Sequence, residues 1–337
     1  MPITLQDVAK KAGVSRFTAS VVLSNKIGGR ISASTCQRVR DAAESLGYHP
    51  NAVASSLRSR KTNIIGYYSS YPFNALRDPF MGAIVHGLYR GAALGGKRLM
   101  LNLTAPEITP EEAFREITSG FVDGVIVHCR ENDPVAALLA KAEFPAVAIV
   151  DATPLLPSVT VDEAQAASLT LDHLQARGHQ DILHRRTHSP FVSVQSRSEA
   201  LLAAAGARGM SVQTLWENGA NGPADFVVPS WDATAAEAAV LADPAHRPTA
   251  FVGLTDFAAR QVLDYCRRVG IRVPQDFGIF GFNGLDYPNQ HERLTTINAD
   301  WDAVAETAVA LLSGLLAGRP APPITLLPVE LIEGDTT

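Results

Sequence analysis

Cysteine is scarce in this chain: Cys36, Cys129 and Cys266 stand alone and far apart. That count and spacing exclude a disulfide framework, provide no zinc-type ligand pattern, and fit a reducing compartment. No run of about 18 apolar residues occurs, so no membrane span is expected. The opening residues "MPITLQDVAKK" lack the basic-then-apolar layout of a secretory signal, and the expected location is the cytoplasm. Also missing are the G-x-x-x-x-G-K-[ST] phosphate loop, the H-E-x-x-H zinc motif and the G-x-S-x-G nucleophile turn. His184 and His188 are four apart in "LHRRTH", a stretch that leaves a strand, and read as ordinary histidines rather than metal ligands. Asp123, Asp256 and Asp286 fall at strand ends, where loops and caps want acids. With no catalytic constellation, the expectation is a protein that is not an enzyme and carries no cofactor or metal.

What the chain does have is unevenly distributed charge. Its net charge is −5, yet residues 1–61 hold ten cations against three acids, a net +7, which leaves −12 for the rest. A basic head on an acidic body suits a protein in which only the head meets a polyanion. At 337 residues, with 46% hydrophobic and 19% charged residues, the chain has material for two or three globular domains.

The head is legible in "TLQDVAKKAGVSRFTASVVLSN". Leu5, Val8, Ala9 and Ala12 share one helical face, and Thr4 with Asp7 forms a capping-box variant at its start. Gly13 suits the chain reversal, and Ser15 caps a second helix. In that helix Ala19, Val22 and Leu23 face inward, leaving Arg16, Phe17, Ser20, Val21 and Ser24 outside. Two helices joined by a short Gly-containing turn in a basic segment are the signature of a helix-turn-helix. In a major groove Phe17 and Val21 could touch thymine methyls, and Arg16 could bond guanine O6 and N7. Ser15 and Ser20 are positioned for phosphate oxygens at the positive end of the helix. The alternative is that Phe17 packs on a third helix. That third helix, capped by Ser32 or Ser34, has Val39, Ala43 and Leu46 inward and ends at Gly47. Ahead of it, "NKIGGR" (Asn25 to Arg30) is glycine-rich and basic, suited to a sugar-phosphate backbone. In "YHPNAVASSLRSRK", Asn51 caps a short helix that, at about seven residues, needs a partner to be stable.

These segments, with "VRDAAESLGYHPNAVASSLR", resemble the LacI/GalR transcriptional repressors. The resemblance implies that Arg16, Phe17 and Val21 read bases, with Thr4, Ser15, Ser20, Asn25, Arg30, Ser32 and Asn51 on the DNA. It implies that Leu57 is a wedge inserted from the minor groove, unstacking a base step to bend the duplex. Ala19 replaces the family's usual Val, and the "NKIGGR" loop is a residue or two longer than in the best-known members. The domain boundaries so read are a helix-turn-helix head at 1–48, a hinge helix and linker at 49–61, and a core at 62–337.

From Thr62 onward, short apolar runs ("NIIGYY", "RLMLNL", "DGVIVHC", "PAVAIVDA", "DILHRR", "TAFVGL", "FGIFGF") alternate with amphipathic stretches. Alternating βα units predict parallel sheets covered by helices, and the length of this region predicts two lobes. "GFVDGVIV", "HLQARGHQDI" and "LTTINADWDAVAETAVALLSG" extend the resemblance over the whole chain. It implies an α/β core of the periplasmic-binding-protein type, with lobe 1 at about 62–161 and 293–323, and lobe 2 at about 162–292 and 324–337. It also implies a homodimer on near-palindromic operator DNA, switched by a small-molecule effector, a sugar or sugar-derived metabolite, held between the lobes. The effector contacts carried over are Phe80, Arg197, Thr255, Asp256, Asn283 and Trp301. Asn283 stands where the family commonly has aspartate, and Thr255 where it has asparagine. An amide accepts through one oxygen only, so the expected ligand is one with its own acceptor or a negative charge, suited to Arg197. The rival reading is a stand-alone ligand-binding protein of the periplasmic type, for which the basic head would be unexplained.

Overall fold

The computed structural model describes residues 3–24, 31–49, 61–70, 79–103, 108–187, 189, 191–216, 233–285 and 292–337. The chain forms two compact units, Met1–Thr62 and Asn63–Thr337. The first contains α1 (Leu5–Ala12), α2 (Arg16–Leu23) and α3 (Ala33–Ser45). Val8 and Ala9 of α1, Ala19 and Val22 of α2 and Val39 of α3 close one small core. The turn between α1 and α2 passes through Gly13 at φ 64°, a left-handed conformation that glycine adopts without Cβ strain.

The second unit runs β1 (Ile64–Ser69), α4 (Pro79–Leu94), β2 (Arg98–Leu103), α5 (Pro110–Ile117), β3 (Gly124–His128), α6 (Pro134–Lys141), β4 (Ala146–Ile149) and β5 (Ser158–Val161). It continues with α7 (Glu163–Ala176), β6 (Asp181–Arg186), α8 (Val192–Ala207), β7 (Ser211–Trp216), α9 (Ala235–Leu241), β8 (Ala250–Val252), α10 (Asp256–Val269) and β9 (Gly278–Asn283). Last come β10 (Thr295–Asn298), α11 (Trp301–Leu316), β11 (Ile324–Leu327) and β12 (Glu330–Ile332). Two six-stranded sheets result, in the orders β11-β5-β4-β3-β1-β2 and β12-β10-β9-β8-β6-β7. Every pairing is parallel except β10 with β12. β3, β4 and β9 are buried along their whole length, as continuous apolar runs covered on both faces should be.

The lobe boundaries read from the sequence need correction. β10, expected in lobe 1, pairs with β9 in the second sheet, and β11, expected in lobe 2, pairs with β5 in the first. The chain therefore returns to lobe 1 after Asn298 and leaves it after Leu327. Both strands are only four residues long, β10 largely polar and β11 largely apolar, too short for their composition to say which sheet edge will take them.

In lobe 1, α4 and α11 meet where Gly87 lacks a side chain. A Cβ there would lie 2.8 Å from Ala305 Cβ and from Asp302 Cα. Among the described residues no helix is long and apolar enough to cross a membrane.

Candidate functional site

The side chains expected to be functional fall in two places, one in each unit. In the head, the Ser15 hydroxyl accepts from Thr18 N at 3.0 Å and fixes the start of α2. Ser32 accepts from Thr35 N at 3.2 Å, so it rather than Ser34 caps α3. The Thr4 amide and hydroxyl both donate to Asp7 Oδ2, at 2.9 and 2.7 Å. These three side chains are therefore committed first to building the helices. Arg16 is exposed, and Phe17 is 78% exposed, so the packing of Phe17 on a third helix does not occur. Ser20 and Val21 are half-buried at the edge of the same face. The first turn of α2 contains no acidic residue, so its positive end stays available to an anion. Asn25, Arg30, Asn51 and Leu57, expected on DNA, lie outside the described residues, as does His188.

In the core, candidate side chains lie toward the carboxyl ends of the parallel strands, where α/β sheets open their crevice. Phe80, at the start of α4, meets Trp301, the first residue of α11, edge-on with centroids 4.8 Å apart. Trp301 is 4% exposed, and its indole Nε1 has no partner among the described residues. Phe80 also lies edge-on to His128, 6.0 Å away at the end of β3.

His128 and Asp151 were not singled out from the sequence, yet they join the lobes. His128 Nε2 is 3.0 Å from Asp151 Oδ2, and both side chains are fully buried. In the neutral ring Nε2–H donates to Asp151, leaving Nδ1 to accept from the Tyr67 hydroxyl at 3.4 Å. Burial pushes the Tyr67 phenol pKa up, so the hydroxyl keeps its proton. The other oxygen of Asp151 accepts from Ser193 N of α8, in lobe 2, at 2.8 Å. The residue before that helix, Phe191, makes no side-chain cap, so the cap comes from the opposite lobe. The only sequence signal was a polar residue closing each apolar run, "VIVH" and "VAIVD".

Arg197 lies on α8 in lobe 2, and its guanidinium is already engaged. Nε and Nη2 bond the two oxygens of Glu163 at 3.0 and 2.9 Å, and Nη1 donates to Leu254 O at 2.8 Å. Its carbon sits 3.3 Å from the centroid of the Phe282 ring. Sequence reading missed Glu163, 34 residues away in the chain.

Of the other expected effector contacts, Thr255 is half-buried and caps α10, accepting from Ala258 N at 3.2 Å. Asn283 is buried at the end of β9 with φ 121°, a sparsely populated conformation for a non-glycine residue. Asp256 is a correction: it is a framework residue, not a ligand contact. It is 1% exposed, with Oδ1 taken by the Thr296 hydroxyl at 2.5 Å and Oδ2 by Leu285 N at 2.8 Å. Burial raises its pKa to about 6. His184 is also structural: Nδ1–H donates to Val252 O at 2.8 Å, and Nε2 accepts from Ser198 Oγ at 3.0 Å. Its burial lowers the pKa to about 4.

Comparison with known proteins agrees with both parts of this architecture. Residues 4–51 match the family model for bacterial regulatory proteins, lacI family, and residues 171–337 match that for a periplasmic binding protein-like domain. The HTH-type transcriptional repressor PurR of Photobacterium profundum is 28% identical over 92% of this chain and 90% of its own length. The HTH-type transcriptional regulator PtxS of Pseudomonas plecoglossicida is 29% identical over 99% of this chain and 96% of its own. Among solved structures, a lac repressor dimer bound to operator and the anti-inducer ONPF superposes with a TM-score of 0.81 at 25% identity, covering 100% of this chain and 99% of that one. The transcriptional regulator CelR in complex with cellobiose shares the fold, with a TM-score of 0.68 at 22% identity, covering the whole of both chains.

Proposed function

This chain belongs to the LacI family of DNA-binding transcriptional regulators, and we infer from this that it is a repressor whose operator affinity is switched by a small carbohydrate-like effector. The observation that carries the reading is the outward face of α2. Ala19 and Val22 of that helix are fully buried, while Arg16 and Phe17 stand in solvent. A large exposed aromatic beside a guanidinium has no purpose in the three-helix core, and both groups complement base edges in a major groove. One head reads about one half-site, so the working unit is a homodimer on a near-palindromic operator. Asn51 and Leu57 are assigned to the operator by the family resemblance, with Leu57 as the wedge.

The effector occupies the crevice between the lobes, against Phe80 and Trp301 on one side and Arg197 and Asn283 on the other. Trp301 Nε1, without a partner among the described residues, supplies a donor for a ligand oxygen. The Asp151–Ser193 bond already ties the lobes together, so an effector that strengthens or replaces it shifts the lobe equilibrium. Coupling of this kind typically changes operator affinity by about 1–3 kcal/mol.

The test is selection of bound duplexes from genomic DNA, followed by anisotropy titration of the enriched sequence. Affinity should fall by about 10³-fold or more between roughly 50 and 200 mM salt, as phosphate contacts release counterions. No preference for any duplex over random competitor overturns the assignment and leaves a two-lobed ligand binder.

A further inference from the structure

The effector reading rests on a crevice whose conspicuous cation, Arg197, is not electrostatically free. Its guanidinium forms a fork-to-fork pair with Glu163, with side-chain exposures of 12% and 11%. Three of the five guanidinium N–H groups are committed, two to Glu163 and one to the Leu254 carbonyl, and one face of the group covers Phe282. Two charges withdrawn from water and bonded in this geometry act on a third group as a neutral dipole. Asp151, bonded to His128 and to Ser193 N, places another acidic side chain where the lobes meet. Arg186, at the end of β6, lies over the Trp216 ring of the edge strand β7, on the side of the sheet opposite β9 and Phe282. A carboxylate or phosphate beside Arg197 would therefore meet Glu163 at short range with no surplus positive charge.

We propose that Glu163 is a specificity-determining residue that neutralises Arg197 and so selects an uncharged polyhydroxyl ligand over sugar acids and phosphorylated sugars. The inference rests on the effector reading above and narrows it. A vicinal diol fits the pair: one hydroxyl donates to a lone pair of Glu163, and its neighbour accepts from one of the two N–H groups of Arg197 that have no partner among the described residues. The sequence pointed, through Asn283, Thr255 and Arg197, to a ligand with its own acceptor or a negative charge, and this partner argues against the negative charge. The expectation of a ligand that brings its own acceptors remains.

Isothermal titration of the full chain with inorganic phosphate, D-gluconate and neutral D-glucitol, at matched ionic strength, tests the proposal. Wild-type protein should take up neither anion in a saturable way. Glu163→Gln keeps the volume and one acceptor but removes the charge, and should bind phosphate or gluconate more tightly than wild type by about tenfold or more. The double variant Glu163→Gln/Arg197→Gln should lose that gain. Wild-type binding of either anion overturns the proposal, as does a Glu163→Gln protein that gains no anion affinity. Should Glu163→Gln not fold, the wild-type titrations alone decide: gluconate bound more tightly than glucitol overturns the proposal, and uptake of neither anion supports it. No DNA enters this experiment, so its failure leaves the regulator assignment standing, and failure of the duplex selection leaves this result interpretable.

Discussion

Arg16 is exposed at the first position of α2, in a turn without acids, whereas Arg197 is paired and almost buried. The same guanidinium thus does different work according to what surrounds it. Replacing Arg16 with alanine should cost about 1–3 kcal/mol of operator affinity and relax selectivity at one base position. An equal loss on every duplex tested would mean that Arg16 touches phosphate alone. Arg16 and Phe17 could be picked out in the sequence because a helix face is set by spacing within eight residues. Glu163 could not, since only the packing of α7 against α8 brings it to Arg197. Asp256 was misjudged for a related reason. A carboxylate at a strand end suits a ligand as well as it suits a backbone amide, and only the positions of Leu285 and Thr296 show which it serves.

At the level of elements, the helix starts were readable because caps are local. Thr4 with Asp7, Ser15 and Ser32 each bond within their own first turn. The contact of α4 with α11 is not local, and it depends on a missing Cβ. Gly87→Ala would press a methyl against the backbone of Asp302 and the side chain of Ala305. None of these atoms is the end of a flexible side chain, so the helices must separate. We expect a loss of about 1–3 kcal/mol in denaturant unfolding of the core. Unchanged stability would mean that α11 can slide without cost. That separation would also disturb Phe80 and Trp301, which begin these two helices, so effector binding should weaken along with stability.

Across the whole molecule, two buried groups in the second lobe oppose each other in their response to pH. His184 has an ordinary pKa of 6.5 when unfolded and about 4 when folded. Its contribution is present above 6.5 and lost as pH falls toward 4, because the unfolded chain takes up the proton first. Asp256 moves the other way, from 3.8 to about 6, so the folded chain binds the proton first and gains stability as pH falls through that window. Each shift corresponds to about 3 kcal/mol at most, and the two largely cancel between pH values of about 4 and 6. His184→Asn should remove the first and expose the second. The stability difference between wild type and variant, measured by denaturant unfolding, should shrink as pH falls from 6.5 toward 4. A constant difference would show that His184 titrates alike in both states.

Unaided, the sequence determined the basic head, its three helices, the outward Arg16 and Phe17, and the alternation of strands and helices in the core. All of these follow from spacing, capping and charge over a few turns of chain. Tertiary structure alone decided which sheet received the strands at 295–298 and 324–327, that Asp151 caps a helix of the opposite lobe, and that Glu163 cancels Arg197. Each of those depends on groups far apart in the chain meeting at strand ends. A buried polar atom takes whichever partner folding brings within reach, and one-dimensional order does not specify that partner.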